Sequence, residues 1–300
     1  MWAEQLVNGL TIGGTYALIA LGYTMVYGVL QMINFAHGEI FMVGAFAGYV
    51  ALIALTEVGL AQSNLALALV LTFAAGMAAS ALLGVLVELI AYRPLRRAPR
   101  LAPLISAIGT SIFLQNLVLL ITQGRPQIYP PLFPQGHVTV GPVAISYIQV
   151  FMLALSLGLM LALYLFVQYA RLGQAIRAVA EDKDAAALMG INVNVAISAT
   201  FFLGAAAAGA AGVMIGLYYT QIDYFMGFVP GIKAFTAAVL GGIGNIPGAM
   251  LGGYFLGLAE TLAVQFLPSF YKDVVAFSLL VLALIFKPNG LLGEVLGRKV

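Results

Sequence analysis

The sequence predicts an all-α polytopic membrane protein, and three observations carry that prediction. Of 300 residues, 62% are hydrophobic and only 8% charged, against about 25% charged in ordinary globular domains. Four apolar blocks, Leu65 to Tyr92, Leu101 to Ile121, Ala144 to Tyr169 and Val195 to Tyr219, exceed the roughly 20 residues that a bilayer crossing requires. The basic residues cluster, with ten of the thirteen in three patches. These are Arg93, Arg96, Arg97 and Arg100; then Arg171, Arg177 and Lys183; then Lys287, Arg298 and Lys299. Basic residues are retained on the cytoplasmic side, so all three patches are predicted to lie there.

Patches on one side require an even number of spans between them. The front of the chain offers elements near 6–29, 36–56 and 65–91, and three full crossings place the N-terminus outside. No Lys or Arg precedes the first span, and Gly and Thr interrupt it, so it reads as a retained span and not a cleavable signal. Between Arg100 and Arg171 two spans, near 103–123 and 145–169, flank "GRPQIYPPLFPQGHVTVGP", whose prolines and glycines mark an outside loop. Between Lys183 and Lys287 the clear spans 195–219, 248–267 and 272–287 are odd in number. A short element at about 232–244, "IKAFTAAVLGGIG", restores parity. It is too short for an ordinary span and reads as a broken or re-entrant helix. The expectation is a single domain over residues 1–300 with about eight transmembrane elements, one or two of them broken or re-entrant.

The interruptions are the informative part. "NFAHGEIFMVGA" and "GIKAFTAAVLGGIGNIPGAMLGG" each break an apolar run with polar residues and glycine, one in each half. Interrupted segments in corresponding positions of two halves point to a transport pathway between repeats, so an inverted repeat is expected although the two stretches differ in letters. Irregular backbone at membrane depth survives only where protein or a water-filled cavity covers it. Asn34, His37, Glu39, Lys233 and Asn245 are therefore candidates for a pathway or broken-helix network. The competing reading makes them caps at the water interface, because a charge at the membrane centre costs roughly 2.5–3.5 kcal/mol. Gly44, Gly244, Gly248 and Gly252 read first as packing glycines, small residues that let helices approach closely.

"ARLGQAIRAVAEDKDAAALMGINV" (170–193) is the longest polar insertion. Charged residues alternate there with helix-forming Ala and Leu, between Gly173 and Gly190, as in an amphipathic helix pair ended by turns. Such a pair usually covers something; the competing reading is a solvated connector, the commoner fate of a charged loop, which would not need so regular a pattern. Several chemistries are missing: there is no GxxxxGK[ST] phosphate loop, HExxH, EF-hand loop or GxSxG. With two histidines and no cysteine, no metal site, disulfide or cofactor is expected. A net charge of +2 makes no case for nucleic acid. Energy from ATP would require another chain.

Four stretches carry a family resemblance: "NGLTIGGTYALIALGYTMVYGVLQMINFAHGEIFMVGA", "RAVAEDKDAAALMGINV", "GIKAFTAAVLGGIGNIPGAMLGG" and "KPNGLLG". In this order, and over essentially the whole chain, the sequence resembles the permease subunit of the high-affinity branched-chain amino acid ABC importers, the LivH type. The resemblance implies a bacterial inner-membrane subunit that is not itself an enzyme. Its implied partners are a second related permease, two ATP-binding subunits and a periplasmic amino acid-binding protein. It also implies a coupling helix that sits in a groove of the ATPase, with Glu181, Asp182, Ala185, Ala186 and Gly190 as the matching residues. Related permeases for urea or short amides share the architecture. An autonomous secondary amino acid carrier would need buried coupling carboxylates, for which Glu88 and Glu260 are the candidates. No paired Asp, HExxH or Ser–Lys arrangement supports an intramembrane enzyme.

Overall fold

The computed structural model describes residues 2–96, 98–99, 101–134, 136–141 and 143–293. Arg97, Arg100, Arg298 and Lys299 of the basic patches lie outside these residues. The chain runs through α1 (Trp2–Leu30), α2 (His37–Glu57), the one-turn α3 (Leu60–Ser63), α4 (Leu65–Val87), α5 (Leu101–Thr122), α6 (Tyr147–Tyr169), α7 (Arg171–Glu181), α8 (Lys183–Leu188), α9 (Val193–Tyr219), α10 (Phe228–Gly241), α11 (Ile246–Ala263) and α12 (Lys272–Phe286). A π turn, Glu88–Tyr92, and a 3-10 turn, Arg93–Leu95, extend α4. Among the described residues seven helical stretches are long and apolar enough to cross a membrane. The 14-residue α10 and the 18-residue α11 complete a bundle close to the expected eight or so elements.

Burial inverts the usual relation between apolarity and interior. α1 is among the least apolar of the seven stretches and the most buried, whereas the more apolar α6 and α12 are largely exposed. A bilayer accepts Leu and Val as readily as a protein core does, so helices associate by close packing of small residues. On α1 those residues are Gly9, Gly13 and Ala17, which face Thr261, Gly257 and Gly253 of α11 so closely that an added Cβ on Gly253 or Gly257 would overlap the α1 backbone. Buried Thr11 and Thr15 return their hydroxyls to the α1 carbonyls of Val7 and Ile12, so neither needs a partner on the neighbouring helix.

The packing repeats itself. α1 lies on α11 as α9 lies on α4, α10 lies against α1 as α2 lies against α9, and α2–α4 matches α10–α11. α1 and α9 are antiparallel: Val26 to Leu30 cluster with Ala196 to Phe201, while Ile12 to Leu21 cluster with Ala207 to Leu217. Equivalent helices running in opposite senses are the pattern an inverted repeat makes.

Opposite ends of the bundle differ in character. One end gathers Arg93, Arg96, α7 and α8 around Leu30, Tyr92 and Ala196. The other carries two small antiparallel pairings, β1 (Gln127–Ile128) with β4 (Gln221–Ile222) and β2 (His137–Val140) with β3 (Val143–Ser146). The Pro/Gly-rich loop is therefore more ordered than its composition suggests. Its Tyr129 is fully buried, donates its hydroxyl to the Ala45 carbonyl at 3.1 Å, and packs on Gly216.

Candidate functional site

The site begins where α1 stops. Gln31 adopts φ +55, which ends the helix, and residues 31–36 turn back into the protein. Asn34 fixes the turn: its Oδ1 accepts the Ala36 N–H and the Tyr92 hydroxyl, both at 3.1 Å. The Ala36 carbonyl then accepts the Glu39 and Ile40 N–H groups and starts α2. His37 packs against Gly22, where an added Cβ would overlap its ring, and lies edge-on to Tyr23. Gly22 precedes the end of α1 by about 12 Å of helix at 1.5 Å per residue, so α2 starts well inside the bundle.

The same construction occurs at the end of α9. Thr220 also has φ +55. Asp223 Oδ1 accepts the Phe225 N–H at 2.7 Å, as Asn34 does for Ala36. Two backbone bonds correspond in position: His37 to Asn34 and Glu39 to Ala36 in the first turn, Met226 to Asp223 and Phe228 to Phe225 in the second. Aligned on these bonds, "QMINFAHG" from Gln31 matches "TQIDYFMG" from Thr220. The two turns enter from opposite ends of the bundle and meet. Gly38 and Gly227 are reciprocal neighbours, and a Cβ on either would run into the carbonyl oxygen of the other. Only glycine permits that approach.

Beside this meeting point lies a cavity of about 340 Å³ between α1, α2, α5 and α10. Glu39 lines it and is 1% exposed. From α5, Gln115 Nε2 donates to Glu39 Oε1 at 2.7 Å and Ser111 Oγ at 3.2 Å. Glu39 Oε2 has no hydrogen-bond partner among the described residues. The remaining wall is mostly apolar, including Phe35, Ile108, Ile112, Phe228 and Ile232.

Of the five polar candidates only Glu39 lines this cavity. Asn34 is a turn cap and His37 a packed ring. Lys233 points elsewhere: its Nζ sits 3.0 Å from Glu260 and 2.7 Å from Asp273, and Glu260 also accepts the Tyr16 hydroxyl at 3.1 Å. The ammonium is matched within the bundle because a buried charge requires it. Asn245 caps α11, accepting the Gly248 N–H at 2.9 Å and donating to the Leu292 carbonyl at 2.9 Å. It belongs to the α10–α11 turn and not to the cavity. Gly44, Gly248 and Gly252 stand where a Cβ would overlap Ser80, the Gly241 carbonyl and the Ala237 carbonyl. Gly244 leaves open space where a side chain would go, with nothing within 4 Å of an added Cβ, and its φ of +98 makes it a turn glycine that lies beside Gly28.

Sequence reasoning overlooked Ser111 and Gln115, which lie more than seventy residues beyond the carboxylate they hold. Glu88, considered earlier as a coupling carboxylate, is fully buried and paired. It receives Arg93 at 3.0 and 3.1 Å, Ser198 Oγ at 2.8 Å, and Arg96.

At the basic end α7 and α8 form the expected helix pair. Gly173 is inside α7, where a Cβ would overlap the Phe166 carbonyl, so it serves the approach to α6 and does not end a helix. Glu181 closes α7, and Asp182 is the N-cap of α8, accepting the Asp184 and Ala185 N–H groups at 2.9 and 3.0 Å. Ala185 is exposed and Ala186 buried. Gly190, at φ +83, closes α8 with paired bonds from Gly190 N–H to the Ala187 carbonyl and from Ile191 N–H to the Ala186 carbonyl, a left-handed helix stop. Leu188 and Met189 project almost fully exposed beside it.

An apolar helical bundle in which two re-entrant turns meet beside a partly open, mostly apolar cavity is the architecture of a multi-pass membrane protein. The chain belongs to the family of branched-chain amino acid transport system permease components, whose pattern matches residues 5–284. It is 50% identical to the high-affinity branched-chain amino acid transport system permease protein BraD of Pseudomonas aeruginosa, over 98% of this chain and 96% of that one. It is 47% identical to the corresponding LivH protein of Escherichia coli K12, over 97% and 95%.

Proposed function

We propose that this protein is a channel-forming subunit of an importer that carries leucine, isoleucine, valine or related amino acids across the bacterial inner membrane. A second related permease completes the channel, two separate ATP-binding subunits drive it, and a periplasmic binding protein delivers the amino acid. The observation that carries the reading is the meeting of two re-entrant turns at Gly38 and Gly227 beside a cavity with a mostly apolar wall. Irregular backbone at that depth is tolerated where it lines a pathway, and an apolar wall suits aliphatic side chains better than urea. The two carboxylates that a carrier could have used by sequence, Glu88 and Glu260, are held by Arg93, Arg96 and Lys233, and the family match favours the importer. The ATPase docks on α8, where the exposed Leu188 and Met189 flank a helix stiffened at both ends by Asp182 and Gly190.

Two measurements test this. Vesicles containing the complete assembly should take up labelled leucine from the loaded binding protein only when ATP is supplied to the ATPase side. Uptake by the permease subunits alone would refute it. Gly190→Val forces a β-branched residue into φ +83, which such residues resist. It is expected to leave the permease inserted while co-purification of the ATP-binding subunits and leucine uptake both fall at least several-fold. Wild-type values for both would move the docking role to the Arg93–Arg100 loop.

A further inference from the structure

Resting on that reading, we infer that Glu39 is the acceptor for the α-ammonium group of the amino acid in transit, and that the apolar wall opposite receives the aliphatic side chain. The argument starts from the two re-entrant turns. They share their cap, their left-handed first residue and their backbone bonds, yet the position equivalent to Glu39 in the second turn is Phe228. The turn is therefore built equally well without a carboxylate, and Glu39 is not there to make it.

What surrounds Glu39 shows what it lacks. Gln115 and Ser111 fix one oxygen from α5. The other, Oε2, is buried and without a hydrogen-bond partner among the described residues. It lies on the Gly227 side of the cavity, 2.7 Å from where a Cβ on Gly227 would stand. A carboxylate removed from water with one oxygen unmatched is costly, and elsewhere in this protein that cost is met: Glu88 has two arginines and Glu260 has a lysine. No Lys or Arg among the described residues lines this cavity. The missing cation has to be small and to carry an apolar body, because the wall includes Phe35, Ile108, Ile112, Phe228 and Ile232. At about 340 Å³ the space is at the small end of ligand sites, which span roughly 300–1,000 Å³. The ammonium group and side chain of an aliphatic α-amino acid meet these requirements. One charge contact, made beside glycines and apolar side chains, also lets the amino acid leave again, as passage demands.

The test uses the complete assembly in vesicles, with leucine supplied on preloaded binding protein. Glu39→Gln, which keeps the shape and removes the charge, is expected to assemble in normal yield and to lose at least tenfold in leucine uptake. Glu39→Asp should restore a measurable part of it. Uptake by assembled Glu39→Gln within twofold of the unmodified complex overturns the inference. Should Glu39→Gln fail to assemble, the unmodified complex decides. Millimolar 3-methylbutylamine, which has an ammonium group on an aliphatic chain and no carboxylate, should inhibit uptake. The matching acid without an ammonium group, 4-methylpentanoate, should not. Inhibition by the acid, by both alike or by neither overturns the inference. Absence of leucine uptake in the unmodified complex would instead refute the proposed function, so the two failures are separable.

Discussion

The turn at 31–39 and the turn at 220–228 are one design used twice. Each opens on a non-glycine residue with φ +55, is capped by an Asx side chain bonding two residues on, and ends on a glycine pressed against its counterpart. Their surroundings diverge. The first turn is sealed by Tyr92, which bonds Asn34, and carries Glu39 into the cavity. The second pairs with β1 at the strand end, offers Phe228 to the same cavity, and keeps its charge further along α10, where Lys233 is matched by two carboxylates. The comparison separates what the frame needs from what has been added to it. Asx caps and glycines recur. Buried charges do not.

The largest expected effect lies on the side where charge is matched. Lys233→Met leaves Glu260 buried without its cation, and breaking a buried pair costs about 3–5 kcal/mol. The yield of folded protein in detergent should collapse, and adding Glu260→Gln should recover much of it. If Lys233→Met alone is stable, the network is not what holds α10 to α11.

Next come the shared glycines. Gly38→Val and Gly227→Val each push a branched side chain into the opposing carbonyl, and overpacking of this kind costs about 1–3 kcal/mol. The two should lower the midpoint of thermal unfolding by similar amounts, because the contact is reciprocal. A large loss for one and none for the other would break the equivalence.

The smallest effect sharpens the contrast between the caps. Asn34→Ala removes the acceptor for two donors in a buried setting and should cost about 1–2 kcal/mol. Asp223→Ala, in the more open turn, should cost less than about 1 kcal/mol. Thermal unfolding of the two variants gives the order, and a reversal would mean that the second turn is the tighter one.

Much of this frame is legible in the sequence, because membrane spans announce themselves by length and apolarity. Parity of the basic patches even demanded α10, whose 14 residues would escape a hydropathy reading. The helix pair at 170–193 was legible because Asp182, the alanines and Gly190 are a local pattern of cap, helix and stop. The repeat was harder. Its trace is in the eight letters from Gln31 and from Thr220, of which only Ile33 with Ile222 and Gly38 with Gly227 are identical. The similar pairs, Asn34 with Asp223 and Phe35 with Tyr224, become visible once backbone bonds supply the register. Gly244 was misread because a spacing of four suits both a packing stripe and a turn that precedes one. Asn245 went astray for a related reason, since a polar residue beside glycines in an apolar run looks like a pathway lining until its Gly248 bond shows a cap. Ser111 and Gln115 had no local signal at all. They are ordinary polar residues of α5, and their meaning depends on a contact across more than seventy residues.

The burial of α1 has a consequence for how the protein is made. Its Gly and Thr face is matched by α11, which begins more than two hundred residues later. At roughly 5–20 residues per second, α1 leaves the ribosome roughly 10–40 seconds before that partner exists. During this interval a comparatively polar helix waits in the membrane without its main neighbour, while outer helices such as α5 and α6, which could hold their own in lipid, arrive before that neighbour does. The segment most central to the finished bundle is thus the one whose biosynthesis depends most on being sheltered until the last third of the chain is complete.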